Sequence, residues 1–267
     1  MLDIGVLGPL FITCNGVRHA VPGNRLRSIV AVLATSNGDL IHRDDLIEEL
    51  GLEQFTPKNV NAIHAHIARL RKWLRNACGT SDSLVTEGQG YRFDIPRNGV
   101  DALRFIDLVE FAWAIGSDRP AERVETLKAA LDLWRGTAFG DVNDGPQMRA
   151  RATYLQQLRL EAQEALVAGL AALNDRRAVI LYASRFIAED PLRERLWEHL
   201  MDALYREGRY AEVHDSYYRV AHLLARELGI EPNPALRAQF HRIPGTAPPL
   251  PVAVGDPAGW LRRYRSV

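Results

Sequence analysis

The most chemically distinctive segment of the sequence runs from Lys58 to Arg75, because it carries five cationic side chains and no carboxylate. An arginine fork can hydrogen-bond the guanine edge in the DNA major groove, whereas a lysine ammonium holds phosphate as a point charge. The preceding stretch, from Asp39 to Glu53, holds six acidic residues against Arg43 alone. Opposite charges are therefore segregated onto neighbouring elements, and the cationic segment is suited to a polyanion.

The spacing of apolar residues predicts that this segment is a helix with one buried face. Residues that share this face recur at intervals of three and four: Val60, Ile63, Ile67, Leu70 and Leu74. The helix is expected to begin at Thr56-Pro57, a favourable N-cap followed by a proline suited to the first turn. The outward face would carry the candidate DNA contacts Lys58, Asn61, His64, Arg69, Arg71, Lys72 and Arg75. Taken alone, the segment is also compatible with an ordinary amphipathic helix whose basic face is solvated.

The elements on both sides of the cationic helix favour a winged helix-turn-helix. Strands are predicted over residues 2–7 and 10–13, and helices over residues 24–35 and 43–50. The second of these helices would pair with the cationic helix as a helix-turn-helix. Strands at 84–86 and 91–95 flank a glycine-rich tip of the size of a wing. Because glycine allows close backbone approach, Gly88, Gly90 and the adjacent Tyr91 are added as candidate DNA contacts.

The composition is that of an ordinary globular protein rather than of a uniformly basic nucleic-acid binder. The 267 residues hold 33 basic and 33 acidic side chains, with 47% hydrophobic and 25% charged residues. No apolar run approaches the roughly 18 residues that span a bilayer, and the first residues are predicted to form a strand rather than an export signal. Two cysteines in so long a chain favour reduced thiols and a cytoplasmic location.

The second half of the sequence predicts helix after helix, beyond a Pro/Gly/Asn break at residues 95–99. The predicted helices span residues 101–116, 119–135, 147–173, 176–189, 193–207, 210–229 and 234–242. Between Trp197 and Val220, residue sizes recur as in a degenerate tetratricopeptide repeat, with a turn at Gly208-Arg209-Tyr210. Such a domain is either a partner-binding groove or an internal scaffold without a ligand, and both remain open.

We therefore expect a mainly α protein with three segments. Residues 1–96 would form the winged helix-turn-helix of mixed α and β structure, residues 97–243 an all-α tetratricopeptide-like domain, and residues 244–267 a Pro-rich flexible tail. No nucleophile elbow, phosphate loop, dinucleotide fingerprint or zinc motif occurs, and His64 and His66 point to different sides of a helix. We expect no enzyme activity, no cofactor and no metal. The alternative function is a tetratricopeptide-type adaptor that binds proteins and not DNA.

Motifs in both halves occur in an order known from one protein family. Those that resemble an OmpR-like winged helix are Val6-Leu-Gly-Pro-Leu10, His66-Ile-Ala-Arg-Leu-Arg-Lys72 and Gly88-Gln-Gly-Tyr-Arg-Phe93. Those that resemble the bacterial transcriptional activation domain lie at residues 131–136, 190–195, 203–212 and 227–232. Together they resemble the Streptomyces antibiotic regulatory proteins, which are small activators of secondary-metabolite gene clusters.

The resemblance implies binding to direct repeats in double-stranded promoter DNA and recruitment of RNA polymerase holoenzyme through its sigma factor. Arg69 and Arg71 match positions that contact DNA in the family. The loop that touches polymerase in relatives corresponds to Leu52, Glu53, Gln54 and Phe55. The sequence departs from the family twice: Glu87 stands at a wing position usually held by arginine, and Leu50-Gly51-Leu52 replaces a segment that commonly contains tryptophan.

Further expectations concern assembly and regulation. The helical domain is expected to mediate self-association of copies on DNA. We expect a cytoplasmic, nucleoid-associated protein that does not bind membranes. Because a strand is already predicted at residue 2, no receiver domain is expected ahead of the winged helix, and control by aspartyl phosphorylation within this chain is not expected.

Overall fold

The computed structural model describes residues 2–52, 56–116, 118–142 and 145–242. In this part of the chain the strands are β1 (Leu2–Gly5), β2 (Phe11–Cys14), β3 (Val17–Ala20), β4 (Ile41–His42), β5 (Leu84–Glu87) and β6 (Gly90–Phe93). The helices are α1 (Asn24–Thr35), α2 (Arg43–Glu49), α3 (Pro57–Cys78), α4 (Asp101–Ala114), α5 (Pro120–Leu131), α6 (Pro146–Ala172), α7 (Arg176–Glu189), α8 (Glu194–Arg206), α9 (Tyr210–Glu227) and α10 (Pro234–His241). The predicted mainly α architecture is confirmed.

The strands form two small antiparallel sheets. Strands β1, β2 and β3 are a meander, and the turn between β2 and β3 has positive φ at both Asn15 (51°) and Gly16 (79°). Two such residues are what a tight type I′ hairpin requires, so the predicted Asn-Gly hairpin is confirmed. The second sheet has the order β4-β6-β5, and its β5–β6 hairpin is the predicted wing. Strand β4 was not predicted, because two residues carry no periodicity.

Helices α1 and α3 bury continuous apolar stripes in the winged helix. In α1 the run from Ser28 to Ala34 is buried, and in α3 the buried residues are Ile63, Ile67, Leu70 and Leu74. Phe93 of β6 and Leu46 of α2 are also fully buried. The 3.6-residue period read from the sequence therefore identifies the face of α3 that points into the core.

The chain divides into two compact units, and the first extends beyond the winged helix. It comprises the described residues up to Ile115 together with Glu125–Ala162. Within this unit, Asp101 is 5% exposed and accepts hydrogen bonds from the backbone N–H of Val6 (2.8 Å) and Leu7 (3.2 Å) and from Nη2 of Arg135 (2.8 Å). The backbone N–H of Arg135 donates to the Leu7 carbonyl (2.8 Å), and that of Phe139 donates to the Val6 carbonyl (2.9 Å). Val6 and Leu7 are therefore hydrogen-bonded to the first residue of α4 and to the segment between α5 and α6.

A second carboxylate joins helix α2 to helix α6 in the same unit. Glu49, the last residue of α2, is 2% exposed and accepts from the backbone N–H groups of Gln147 and Met148, each at 3.0 Å. These N–H groups lie in the first turn of α6, where intrahelical acceptors are missing and a negative charge is favourable. The buried Glu49 thereby satisfies the start of α6 and fixes it to the helix-turn-helix.

The second compact unit comprises Gly116–Val124 and the described residues from Gln163 onward. Helices α7 to α10 pack against their neighbours here, and the large residues of the repeat pattern form their core. Trp197 is 1% exposed and donates from Nε1 to the Pro191 carbonyl (2.9 Å), while Tyr217 stacks on Phe240 with ring centroids 4.3 Å apart. These aromatic residues are consequently part of the packing and are not available to partners.

One expectation is wrong in the structure: the thiols are not free. Cys14 and Cys78 form a disulfide, with their Cα atoms 5.3 Å apart. Their sequence separation of 64 residues gave no sign that they are neighbours. The bond joins the end of β2 to the last residue of α3.

Candidate nucleic-acid interface

Helix α3 is positioned by caps at both of its ends. The side chain of Thr56 accepts a hydrogen bond from the backbone N–H of Asn59 (3.3 Å), as an N-cap does, and Pro57 occupies the first turn. Gly79 ends the helix in the left-handed conformation, and its N–H donates to the Arg75 carbonyl (3.0 Å). The helix runs three residues further than predicted, because this cap lies beyond the last charged residue.

The outward face of α3 presents most of the predicted side chains together. The exposed ones are Lys58, Asn61, His64, Arg69, Lys72 and Arg75. The helix contains no aspartate or glutamate, so this face is uniformly cationic or neutral. Ala65 and Ala68 are also exposed on this face, and their short side chains allow the helix to approach a partner closely. Such a face can bring arginine forks and lysine charges to a polyanion without repulsion from the helix itself.

Arg71 differs from its neighbours, because its guanidinium is bonded to the wing. It is half-buried, and its Nη2 donates to the Leu84 carbonyl (2.9 Å) and to Oγ1 of Thr86 (2.7 Å), both in β5. Arg75 makes a related contact, from Nη1 to Oγ of Ser81 (3.1 Å). The structure thus gives Arg71 a role that the sequence did not indicate, which is to hold the wing against α3.

Two of the three candidate contacts in the wing are misplaced. Tyr91 is 5% exposed and packs in the core, where burial raises the pKa of its hydroxyl. Gly90 is also buried, and a Cβ there would lie 2.7 Å from the Ile41 carbonyl oxygen. Both residues serve the pairing of β4 with β6 and are corrected from contacts to structural positions. Gly88, at the exposed tip, remains a predicted contact.

The wing carries its own ion pairs. Arg92 lies 3.4 Å from a carboxylate oxygen of Glu87 and 3.4 Å from one of Asp94. At the tip, Arg43 of α2 donates from Nη2 to Oε1 of Gln89 (2.6 Å), and its backbone N–H donates to the Gln89 carbonyl (3.1 Å). The Glu87 carboxylate is therefore partly compensated by Arg92, and the tip is fastened to the beginning of α2.

Sequence reasoning missed Arg25, which contributes positive charge near α3. Arg25 is exposed in the first turn of α1. Burial, and then the positive charges of Arg25 and Arg69, lower the pKa of His66 below its ordinary value. The neutral form of His66 is therefore favoured, and Arg25 lies close enough to α3 to act on this side chain. The sequence does show an arginine on the polar side of α1. It does not indicate that this arginine lies close to α3.

The predicted polymerase-facing loop is only partly described. Leu52 is half-buried, and its backbone N–H donates to the Ile47 carbonyl (3.0 Å). Glu53, Gln54 and Phe55 lie outside the described residues. Across the described ranges, no group of three or more His, Cys, Asp or Glu residues is arranged to hold a metal ion. None of the described helices has the length and apolar character needed to cross a membrane.

Two family models match the chain in the order of its two halves. Residues 23–93 match "Transcriptional regulatory protein, C terminal", and residues 100–244 match "Bacterial transcriptional activator domain". The winged helix with its cationic α3 and the helical region behind it thus define a DNA-binding transcriptional activator.

Curated relatives extend over nearly the whole sequence. The chain is 34% identical to the transcriptional regulator RedD of Streptomyces coelicolor over 255 residues, which cover 94% of this chain and 73% of RedD. It is 28% identical to the regulatory protein DnrI of Streptomyces peucetius, covering 91% of this chain and 92% of DnrI. The chain belongs to the family of Streptomyces antibiotic regulatory proteins.

A solved structure agrees in fold. Mycobacterium tuberculosis EmbR, determined in complex with a low-affinity phosphopeptide, matches with a TM-score of 0.77 and 32% identity. The match covers 90% of this chain and 64% of the EmbR chain, so the chain spans just under two thirds of that relative.

Proposed function

We propose that this activator binds direct repeats in promoter DNA by placing α3 in the major groove and the wing beside the adjacent minor groove. The observation that carries the proposal is the exposed face of α3, which has four lysine and arginine side chains and no carboxylate. Arg71 fixes the wing relative to this face. In this arrangement Arg69 reads a base edge, while Lys58, Lys72 and Arg75 are among the cations that neutralise phosphates.

The regulatory output follows from the family. We propose that bound copies recruit RNA polymerase holoenzyme through its sigma factor, using the loop at residues 52–55, and that they associate with one another through the helical domain. The target is a secondary-metabolite gene cluster, and the protein acts in the cytoplasm on nucleoid DNA. Its role is that of a regulator without enzyme activity. RedD and DnrI, regulators from Streptomyces, support this assignment.

The salt dependence of DNA binding tests the electrostatic part of the proposal. Neutralisation of about 4 to 6 phosphates per protomer predicts that log affinity falls with log salt with a slope of about −4 to −5. Fluorescence anisotropy with a labelled promoter fragment measures this slope. A protein that binds no DNA, or binds it with a flat salt response, would instead support the adaptor function.

Two substitutions separate base reading from phosphate binding. Arg69→Ala should cost about 1–3 kcal/mol on the cognate site and relax the preference for one base. Lys72→Ala should weaken binding to cognate and random DNA alike and reduce the salt slope by about 1. Arg219→Ala, which removes an exposed arginine from α9 in the second unit, is the matched control and should leave both affinities unchanged. If both α3 variants retain wild-type affinity, α3 is not the recognition helix.

A further inference from the structure

The two cysteines of the chain, which lie far apart in the sequence, meet in the DNA-binding half. Cys14 is the last residue of β2, and Cys78 is the last residue of α3. Their Cα atoms are 5.3 Å apart, a separation typical of bonded cysteines, and a disulfide joins them. The N-terminal sheet is thereby linked covalently to the end of the proposed recognition helix.

The position of Cys78 connects this bond to the residues proposed to read DNA. Cys78 lies one helical turn after Arg75, in the turn that Gly79 closes. Arg75 donates to Oγ of Ser81, and the Ser81 carbonyl accepts from the backbone N–H of Leu84, where the first strand of the wing begins. The end of α3, its last cation and the start of the wing are therefore neighbours, and a bond at Cys78 restrains all three.

The two cysteine residues differ in solvent exposure. Cys14 is 4% exposed, whereas Cys78 is partly exposed at the end of its helix. A small thiol or disulfide can thus reach Cys78 first, and Cys14 lies close enough to complete the exchange. Disulfides in intracellular proteins are mostly transient and redox-sensing, because the compartment keeps thiols reduced. In a bacterial transcription regulator, this pair is therefore expected to form a reversible disulfide rather than a permanent structural one.

We propose that Cys14 and Cys78 are a reversible thiol–disulfide modification site, whose oxidant is a low-molecular-weight disulfide. The Cys78 thiol loses its proton to solvent, and the thiolate attacks the small disulfide, forming a mixed disulfide and releasing one small thiolate. The Cys14 thiol then loses its proton, and its thiolate attacks the Cys78 sulfur and releases the second small thiolate. The two cysteines are oxidised by two electrons, and the small disulfide is reduced to two thiols.

The bond stabilises the fold and orders the DNA-reading surface. It closes a loop between residues separated by 64 positions, which removes much conformational freedom from the unfolded chain. In the reduced protein the last turn of α3 can fray at lower cost, and Arg75 frays with it. The oxidised protein binds DNA more tightly because that turn is ordered in advance. This last step rests on the proposed function.

The experiment compares the full chain in two redox states, with glutathione disulfide as oxidant and dithiothreitol as reductant. Intact mass spectrometry should show that oxidation forms an internal bond without a retained glutathione. The melting temperature should rise by about 9–17 °C on oxidation, as expected for a loop of this length. Affinity for promoter DNA should rise by about 3- to 10-fold. Dithiothreitol should reverse all three changes.

The variant Cys78→Ser is the control, and it should give the same melting temperature and DNA affinity in both reagents. Because the main comparison uses the wild-type chain, it does not depend on whether this variant folds. Failure to form the internal bond, a stable glutathione adduct on Cys78, or equal melting temperatures in the two states would each overturn the proposal. So would equal affinities of two states that both bind DNA. Absence of DNA binding in both states would count against the proposed function instead, while the mass and melting results still decide the cysteine site.

Discussion

Replacement of Asp101 by alanine should destabilise the first compact unit more than the replacement of any exposed charged residue. The carboxylate is the acceptor for the backbone N–H groups of Val6 and Leu7, and both of these residues are fully buried. Alanine offers no acceptor at the position of the carboxylate, and Val6 and Leu7 are each 0% exposed. The perturbation therefore leaves two buried donors without partners.

The magnitude follows from those two donors. A buried donor without a partner costs about 1–3 kcal/mol, so two give about 2–6 kcal/mol. Arg135, whose side chain is 27% exposed, can be rehydrated and adds little. Burial raises the pKa of Asp101, which means that desolvation of the carboxylate already offsets part of its hydrogen bonding. Because of this offset, we expect a loss of about 3 kcal/mol, in the lower half of that range.

Urea unfolding followed by tryptophan fluorescence measures this loss, because Trp73, Trp113 and Trp134 lie in the first unit. The matched control is Asp107→Ala, which removes an ion pair with Arg97 whose side chains are 42% and 39% exposed. Such a surface pair contributes at most about 1 kcal/mol. If Asp101→Ala loses no more than the control, the hydrogen bonds of Asp101 do not hold the unit together.

Three further predictions concern the wing, the second unit and assembly on DNA. Glu87→Arg should tighten DNA binding by about 3- to 10-fold at low salt, because it reverses one charge and removes one of the two carboxylates that pair with Arg92; a competition assay that finds unchanged or weaker binding means that Glu87 faces away from DNA. Burial lowers the pKa of His199, so its neutral form contributes stability that is present above about pH 6.5 and lost as pH falls through the lowered pKa. The melting temperature should therefore fall less between pH 7 and 5 in His199→Gln than in the wild type, whereas the exposed-site control His241→Gln should match the wild type. Cooperative filling of two repeats by the full chain should be lost when five base pairs are inserted between them, since this rotates one copy to the opposite face of the duplex; unchanged cooperativity in a footprinting titration would contradict assembly through the helical domain.

The features that were predictable from sequence are those that local periodicity and capping determine. Helix α1 was predicted with its observed bounds, because its apolar period and the following Asn37-Gly38 are strong local signals. The buried stripe of α3 and the Asn15-Gly16 hairpin were predictable for the same reason. The exposed cations of α3 follow from that stripe, since a helix has only one other face.

The features that were not predictable depend on contacts between distant residues. Tyr91 was assigned to DNA because it adjoins the wing tip, but its pairing with Ile41 places it in the core. Arg71 was assigned to DNA from the outward face of the predicted helix and from a family position, but its bond to Leu84 is visible only in three dimensions. The meeting of Cys14 with Cys78 is likewise a product of the fold. The three-segment boundaries at residues 96 and 243 remain predictions.

The bonding of Asp101 and Glu49 has a consequence for the engineering of chimeric regulators. An exchange of the first 96 residues between relatives would separate Val6 and Leu7 from the carboxylate that pairs with them, and Glu49 from the helix start that it caps. A hybrid made at that boundary would combine mismatched halves of one packed unit. Promoter specificity should instead be transferred by exchanging the segment from Thr56 to Phe93, which contains α3 and the wing. The hydrogen bonds of Asp101 and Glu49 lie outside this segment, so both partners of each bond come from the same parent protein.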